Sequence, residues 1–226
     1  MIPEIIHQAW YGREIFDNRY YSSIIHYCPK FDYYFWNETS PKNAALPTRA
    51  LRILEHPDYT VNVKSDILRL AALYIYGGIY LDTDVEVIRP LDNLLYEECF
   101  IGKESKYHDN DFGTAVIGAE PYHPTIAHLL EKVLDGLDGL DPHIINCDPL
   151  SYVSVRRISQ LIKNLAITKY DFYFFYPLQW DKIDYRTPAS YTVHHWDGVK
   201  PAGWCRQFIY SDGRRDPIWF ERGEYR

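Results

Sequence analysis

This sequence has few cysteines, and their spacing pairs none of them. The four lie far apart along 226 residues, at Cys28, Cys99, Cys147 and Cys205, and no CxxC pair occurs. Structural zinc sites of the finger or ribbon type use such pairs, so the sequence excludes that class. Thiols without a disulfide framework or a secretory signal are typical of reducing compartments, and we expect a cytoplasmic protein.

Positive charge is also in short supply. The chain carries 24 Lys and Arg against 31 Asp and Glu, which gives a net charge of −7 and a pI of about 5.7. A protein that binds duplex nucleic acid needs a basic surface, so no nucleic-acid partner is expected. A nucleotide ligand remains compatible with this charge, because a bound metal ion can offset its phosphates.

Long hydrophobic runs are missing as well. The most apolar stretch, Ile67–Leu81, contains Arg69 and two glycines, and it is shorter than the ~20 residues that a membrane-spanning helix needs. The first residues, MIPEIIHQAW, lack the basic and apolar regions of a signal peptide. No repeat, low-complexity segment or linker divides the chain, so we predict one soluble domain over residues 1–226 with a substantial core.

What the sequence does have is a concentration of carboxylates in one apolar stretch. Tyr76–Val87 reads YGGIYLDTDVEV. In an extended strand alternate side chains share a face, which would place Tyr80, Asp82, Asp84 and Glu86 on the same side. Three neighbouring anions repel one another unless water, a basic group or a cation covers them. The pattern alone leaves two interpretations open, a solvated strand face and a cation site.

The residues before this stretch favour a binding site. They read SDILRLAALYIY, which predicts a buried helix with Ser65 as its N-cap and with Gly77 and Gly78 at its end. A helix, a glycine turn and a strand that ends in carboxylates form an α/β unit. Such sheets bind ligands beyond the carboxyl ends of their strands.

The rest of the chain predicts further strands and helices. The predicted strands are IPEIIHQAW, FDYYFWN, CFIGKES, TAVIGAE, FYFFYPL and YTVHHW. The predicted helices are a short one near Ile24–Tyr27, HPTIAHLLEKVLDGL and YVSVRRISQLIKNL. After Trp204 the pattern weakens, and a loop or lid is expected there.

Three known uses of alternating carboxylates can be compared with this stretch. An EF-hand that began at Asp82 would need Gly and Glu where the chain has Val87 and Asn93, so it is excluded. The DxDx[TV] motif of aspartyl-phosphate phosphotransferases has Thr or Val where Glu86 stands, and it stays as an alternative. The third use is a DxD site, which holds Mn²⁺ or Mg²⁺ on a nucleoside diphosphate.

Four segments, taken in order, resemble glycosyltransferase family 32, the DXD-containing sugar transferases. They are IPEIIHQAWYG, SDILRLAALYIYGGIYLDTDVEVIRPLD, VIGAEPYHP and VHHWDG, and the resemblance covers most of residues 1–210. It implies a GT-A fold, a single Rossmann-like α/β domain with a mixed central sheet flanked by helices. It also implies a retaining transferase with a nucleotide-sugar donor, a UDP-hexose or a GDP-sugar, and a glycan or other hydroxyl acceptor.

The resemblance assigns roles to the residues of the first two segments. Trp10 would stack on the nucleobase, while Asp66 and Arg69 would reach the donor's sugar hydroxyls and diphosphate. Asp82 would contact ribose, sugar or metal, and Asp84 would bind Mn²⁺ or Mg²⁺ directly. Asp82, Asp84 and Arg69 would thus form the catalytic group.

The last segment would close over the donor. The resemblance implies that His194 or His195 completes the metal shell, that Trp196 contacts the donor, and that residues 194–226 form a closing segment and tail. Adjacent residues of a strand point to opposite faces, so we expect only one histidine to bind the metal, with a preference for His194. Thr114 stands where members often have Asn, which removes the basis for a donor-sugar contact at that position.

Simpler interpretations exist for each residue alone. Asp66 and Arg69 have the spacing of an ordinary helix salt bridge, and Trp10 has the size of a core residue. A non-catalytic module that binds nucleotide sugars would show the same motifs. The order of the motifs favours the transferase over these alternatives.

Overall fold

The structure, a computed structural model, describes residues 1–11 and 19–197 and the backbone of residues 205–209 and 215–219. The strands are β1 Ile5–Ala9, β2 Asp32–Trp36, β3 Gly78–Leu81, β4 Val85–Val87, β5 Cys99–Lys103, β6 Phe112–Ala119, β7 Thr168–Tyr170, β8 Thr192–His194, β9 Cys205–Ile209 and β10 Arg215–Trp219. The α-helices are α1 Tyr21–Tyr27, α2 Thr48–Glu55, α3 Val61–Tyr76, α4 Pro124–Leu137, α5 Pro142–Cys147, α6 Pro149–Tyr152, α7 Val155–Leu161 and α8 Phe172–Phe175. Two short 3₁₀ helices cover Ser40–Asn43 and Asp92–Tyr96.

A mixed six-stranded sheet forms the centre of the fold, in the order β2-β1-β3-β6-β5-β7. Strand β1 is parallel to β2 and β3, while β6 is antiparallel to both β3 and β5. Strands β1, β3 and β5 therefore run in the same direction, and their carboxyl ends meet at one edge of the sheet. The predicted α/β fold with a mixed sheet flanked by helices is confirmed.

Both faces of the sheet are buried, which explains the apolar sequence of its strands. In β3 the ring of Tyr80 lies in the core cluster that includes α2, α3 and α4. Its neighbours Ile79 and Leu81 lie in a second cluster on the other face, together with residues of α1, β4 and α8. The alternation predicted for this strand thus holds within β3, with apolar groups on both sides.

Helix α3 starts earlier than the sequence predicts. Its N-cap is Thr60 and not Ser65, whose hydroxyl donates to the carbonyl of Val61 (2.9 Å) inside the first turns. The predicted glycine end is confirmed, since Gly77 has φ +63°. A Cβ at Gly77 would lie 2.7 Å from Pro121 Cδ, so both the backbone angle and the space require glycine.

The prediction of one continuous strand from the glycine turn to Val87 is wrong. Strand β3 ends at Leu81, and a turn follows in which the Val85 N–H donates to the carbonyl of Asp82 (3.1 Å). Strand β4 then leaves the central sheet and pairs with β8, with Val85 opposite His194. The carboxylates Asp82 and Asp84 therefore belong to a turn at the carboxyl end of β3 and not to a strand face.

Two predictions for the later part of the chain are also wrong. The segment FYFFYPL forms the short helix α8 in place of a strand, because the carboxylate of Asp171 caps it by accepting the Phe172 N–H (2.9 Å). After Trp204 the backbone forms the antiparallel pair β9–β10 where a loop was expected. The predicted closing segment and tail, residues 194–226, lie largely outside the described residues, since 198–204, 210–214 and 220–226 are not described.

Within the described part of the chain, no helix has the length and hydropathy to cross a membrane. The extent of the predicted domain, residues 1–226, stays a prediction.

Candidate functional site

Two elements bring three possible metal ligands together. Asp82 and Asp84 occupy the turn after β3, and the pairing of β4 with β8 places His194 beside them. His194 Nε2 lies 3.1 Å from Asp84 Oδ1. One ligand atom from each of the three residues lies within 4.8 Å of the others. The structure thus joins residues that are more than a hundred positions apart in the sequence.

The chemistry of this cluster fits a divalent cation. Carboxylate oxygens and an imidazole nitrogen suit Mn²⁺, and the carboxylates suit Mg²⁺. Burial alone would raise the pKa of Asp84, but the charge of His194 and its hydrogen bond hold the pKa below its usual range. Burial lowers the pKa of His194, yet Asp84 raises it above its usual range. A cation at this nitrogen would take the place of the imidazolium proton.

Packing fixes the ring of His194. The ring of Trp196 lies 4.2 Å from it, centroid to centroid, and that of Tyr176 lies 5.8 Å away. Among the described residues, the buried Nδ1 of His194 has no hydrogen-bond partner. The position of Nε2 beside Asp84 is therefore set by packing and by the Asp84 carboxylate.

Arg69 links α3 to the first aspartate of the motif. Its Nη2 lies 3.0 Å from Asp66 Oδ1 and 3.1 Å from Asp82 Oδ1, and its Nη1 donates to the carbonyl of Thr114. The guanidinium also lies 4.7 Å above the centre of the Tyr80 ring. The predicted helix salt bridge is thus present, and it forms part of a larger buried network that orients Asp82.

The same burial limits the predicted donor contacts of Asp66 and Arg69. Both residues are 6% exposed. Burial raises the pKa of Asp66 to about 6, although the Arg69 charge opposes this shift. The structure therefore places these two residues beneath Asp82, where they support the carboxylate.

His195 is not brought into the cluster, although the resemblance offered it as a metal ligand. Its Nε2 donates to Glu86 Oε2 (2.9 Å), and its ring stacks on Tyr20 at a centroid distance of 4.3 Å. Only its backbone N–H approaches the motif, where it donates to the carbonyl of Asp84 (2.9 Å). The two histidines point to opposite sides, as the strand alternation predicts, and the structure puts His194 with the aspartates.

The two tryptophans predicted to contact the donor have different surroundings. Trp196 is 8% exposed, and its Nε1–H donates to the carbonyl of Leu178 (2.6 Å), so it is a packing residue for His194. Trp10 is half-buried and follows β1, where its N–H donates to the carbonyl of Trp36 (2.9 Å). That position lies at the same sheet edge as Asp82.

Sequence reasoning missed Glu104, which follows β5. Its N–H donates to the carbonyl of Asp111 (2.9 Å). Burial raises the pKa of Glu104 to about 7; the charge of His194 opposes this, and the charges of Asp111 and Asp82 add to it. The same signal that marked Asp82, a carboxylate just after a buried strand, is present in CFIGKES. The sequence does not give the direction of β5 in the sheet, so this pattern alone does not place Glu104 at the same edge as Asp82.

Tyr176 is a second residue that the sequence did not single out. Its buried hydroxyl accepts the Val116 N–H (3.0 Å), which ties it to β6. Gly113 makes room for it, since a Cβ there would lie 2.5 Å from the Tyr176 oxygen. The ring thus supports His194 from the sheet side.

Comparison with known proteins gives the site a context. Residues 16–101 match the model of a family described as "Glycosyltransferase sugar-binding region containing DXD motif". The chain is 30% identical over 135 residues to inositol phosphoceramide mannosyltransferase 3 of Schizosaccharomyces pombe, covering 58% of this chain and 37% of that protein. It is 26% identical over 156 residues to human lactosylceramide 4-alpha-galactosyltransferase, covering 62% of this chain and 42% of that protein.

A solved structure shows the class of fold. PaToxG glycosyltransferase superimposes with a TM-score of 0.53 at 15% identity, over 71% of this chain and 69% of that one. The fold is therefore of the GT-A type. Residues 16–101 match the DXD-containing sugar-binding region of glycosyltransferases, and the resemblance predicted from the motifs is confirmed. The chain spans less than half the length of these two curated relatives.

Proposed function

We propose that this protein is a retaining, metal-dependent glycosyltransferase that moves a hexose from a nucleotide-sugar donor, a UDP-hexose or else a GDP-sugar, to a hydroxyl of a glycan or other acceptor. The observation that carries the proposal is the cluster of Asp82, Asp84 and His194. The cluster lies at the edge where the parallel strands of a GT-A sheet end, and both aspartates lie inside the matched DXD region.

The cluster supports a role in the departure of the diphosphate. Asp82, Asp84 and His194 would hold Mn²⁺ or Mg²⁺, which when bound acts as a Lewis acid toward the leaving diphosphate. Arg69 holds the Asp82 carboxylate in position through a buried ion pair, so the metal site is ordered before the donor binds. Preorganised charge of this kind usually accelerates an enzymatic reaction more than any other single effect does.

Retention is supported by the chemistry of the donor and by the name of a relative. A UDP-hexose such as UDP-galactose holds its sugar through an α linkage, and the human relative is named as an α-transferase. An α product from an α donor means that the configuration is kept. The acceptor oxygen would then bond to the anomeric carbon on the face from which the diphosphate leaves, and the acceptor proton would pass to a diphosphate oxygen.

The test is release of nucleoside diphosphate from a panel of UDP- and GDP-sugars, with and without Mn²⁺. We expect metal-dependent release from one donor in the panel, and loss of that release in Asp84→Asn. Asp135→Asn is the matched control, because Asp135 lies on α4 and its ion pairs with Arg49 and Lys132 are exposed. Metal-dependent binding of a nucleotide sugar without any release would instead favour the non-catalytic module.

A further inference from the structure

Two loops beside the cluster are joined to each other by a buried side chain. They are residues 104–111, after β5, and residues 177–185, after α8, called here the loop pair. Gln179 is fully buried between them; its Oε1 accepts the Lys106 N–H (3.0 Å), and its Nε2 donates to the carbonyls of Tyr176 (2.6 Å) and Glu104 (3.5 Å). The loop pair is thus held as one unit.

The second loop is a tight hairpin that is attached to the His194 segment. The Gln179 N–H donates to the carbonyl of Ile183 (2.9 Å), and the Lys182 N–H donates back to the carbonyl of Gln179 (2.8 Å). Lys182 Nζ donates to the carbonyl of His195 (2.8 Å), and Trp196 Nε1–H donates to that of Leu178 (2.6 Å). The hairpin therefore keeps a fixed position next to the metal-ligand cluster.

The outer part of the loop pair exposes aromatic rings. Trp180, in the turn of the hairpin, is 56% exposed, and Tyr107 is 46% exposed. The Tyr107 hydroxyl donates to Asp181 Oδ2 (2.9 Å). Aromatic rings with hydrogen-bonding groups beside them suit a pyranose, which has apolar C–H faces and a rim of hydroxyls. The Trp180 ring is exposed on an ordered turn and is not packed into the core, which is typical of a residue that binds a ligand.

The inner part of the loop pair carries Glu104. It follows β5 at the sheet edge that carries Asp82, and Gln179 Nε2 donates to the carbonyls of both Glu104 and Tyr176, whose ring packs on His194. Glu104 therefore lies near the cluster on the side of β5, with the exposed rings farther out along the same loops. A sugar bound to the rings would extend toward Glu104.

We propose that the loop pair is the acceptor subsite, in which Trp180 and Tyr107 pack against a pyranose ring and Glu104 accepts a hydrogen bond from the hydroxyl that receives the hexose. This inference rests on the proposed function. Glu104 would orient the attacking oxygen, while the cluster of Asp82, Asp84 and His194 serves the donor. The acceptor class is a glycan or glycoside whose terminal sugar is a pyranose.

A binding experiment tests the subsite independently of activity. Saturation-transfer NMR in the presence of UDP and Mn²⁺ would use the methyl glycosides of mannose, galactose, glucose and N-acetylglucosamine as probes. We expect at least one to bind the unaltered protein, and Trp180→Ala to weaken its binding about tenfold. Tyr96→Ala is the matched control, because Tyr96 is 78% exposed just before β5 starts, at the opposite edge of the sheet.

A kinetic experiment tests Glu104. With an acceptor glycoside, Glu104→Gln should lower the ratio of sugar transfer to donor hydrolysis at least tenfold through kcat, whereas Trp180→Ala should lower it through the acceptor KM. Gln keeps the shape of the Glu104 side chain and removes only its negative charge, and urea unfolding of the Glu104→Gln protein checks that the fold is retained.

Three results would overturn the subsite: no glycoside bound by the unaltered protein, equal binding in the Trp180→Ala protein, or an unchanged ratio in the Glu104→Gln protein. If the unaltered protein binds a glycoside but releases no nucleoside diphosphate, the proposed transferase function is wrong, while the loop pair is still a sugar-binding site.

Discussion

At the residue scale, the adjacent histidines His194 and His195 differ in what they touch. His194 Nε2 lies beside the Asp84 carboxylate, whereas His195 hydrogen-bonds to Glu86 and stacks on Tyr20. We therefore expect His194→Ala to weaken Mn²⁺ binding at least tenfold, because it removes one of the three proposed ligands. His195→Ala should change Mn²⁺ affinity less than threefold, since its backbone contact to Asp84 remains. Calorimetric titration with Mn²⁺ measures both, and equal losses would contradict the assignment.

His7 is a residue whose burial has a consequence for acid stability. Its Nε2–H donates to the carbonyl of Gly77 (2.8 Å), and its Nδ1 accepts the Trp36 Nε1–H (3.1 Å). The ring is thus held neutral. Burial lowers its pKa to about 4, although the Gly77 hydrogen bond acts in the other direction.

The pH dependence follows from this lowered pKa. The unfolded chain takes up the proton near pH 6.5 and the folded chain only near pH 4, so stability is full above 6.5 and falls as the pH drops through that window. The loss attributable to His7 should approach about 3 kcal/mol. Urea unfolding at pH 7 and pH 4.5 should show a smaller loss in His7→Phe than in the unaltered protein. His26→Phe, which replaces an exposed histidine, is the control; a His7→Phe loss as large as that of the unaltered protein would contradict the assignment.

At the element scale, α3 contributes a buried charge network to the site. Arg69 is held between Asp66 and Asp82, and it is the cation of that network. Arg69→Ala would leave two carboxylates facing each other in a buried setting, and breaking such a network costs about 3–5 kcal/mol.

A matched surface pair provides the control for Arg69. Arg49 contacts Asp135 and Asp138 at the surface, and Arg49→Ala should cost under about 1 kcal/mol because exposed pairs contribute little. Urea unfolding of the two variants measures the difference. Similar costs for both would show that the Arg69 network is solvated.

The elements also show what sequence can and cannot predict here. The place of Asp82 and Asp84 beyond a buried strand follows from the sequence, and Gly77 marks the helix end that precedes that strand. The turn that separates β3 from β4 does not follow from it, since the alternating pattern continues through both strands. The place of His194 does not follow from local pattern. It depends on the pairing of β4 with β8, which places Glu86 opposite Val193 although the two residues are far apart in the sequence.

Two further features of the site region were not predicted correctly, helix α8 and the position of Glu104. The aromatic segment of α8 reads as a strand, yet one Asp171 cap and the burial of Phe175 make it helical. Glu104 needed the sheet order, because only the antiparallel pairing with β6 puts the end of β5 at the same edge as Asp82. The cytoplasmic location stays a prediction.

At the scale of the whole molecule, the sheet separates the two proposed substrates. Trp10, Asp82 and Glu104 follow β1, β3 and β5, and the sheet order places β3 and β6 between the outer two. With neighbouring strands ~4.8 Å apart, β1 and β5 are about 14 Å from each other. The nucleobase would bind on the side of β1 and the acceptor on the side of β5, with the metal ligands between them.

This separation predicts that the two ends of the site act independently. Trp10→Ala should weaken UDP binding by about 1–3 kcal/mol, the usual contribution of a base stacked on an aromatic ring. Trp180→Ala should instead weaken glycoside binding. Because Trp10 follows β1 and Trp180 belongs to the loop pair on the side of β5, we expect no shared ligand. In the double variant the two losses, measured for UDP affinity and again for glycoside affinity, should therefore add to within about 0.5 kcal/mol.

A double-mutant cycle over Trp10→Ala, Trp180→Ala and the combined variant measures this coupling, with calorimetry for UDP and NMR for the glycoside. A coupling energy well above ~0.5 kcal/mol would mean that both rings contact the same ligand. In that case the division of the sheet edge into a donor side and an acceptor side would be wrong, even if each single variant loses affinity. Additive losses would place the metal-ligand cluster between two separate subsites, as the direction of β1, β3 and β5 implies.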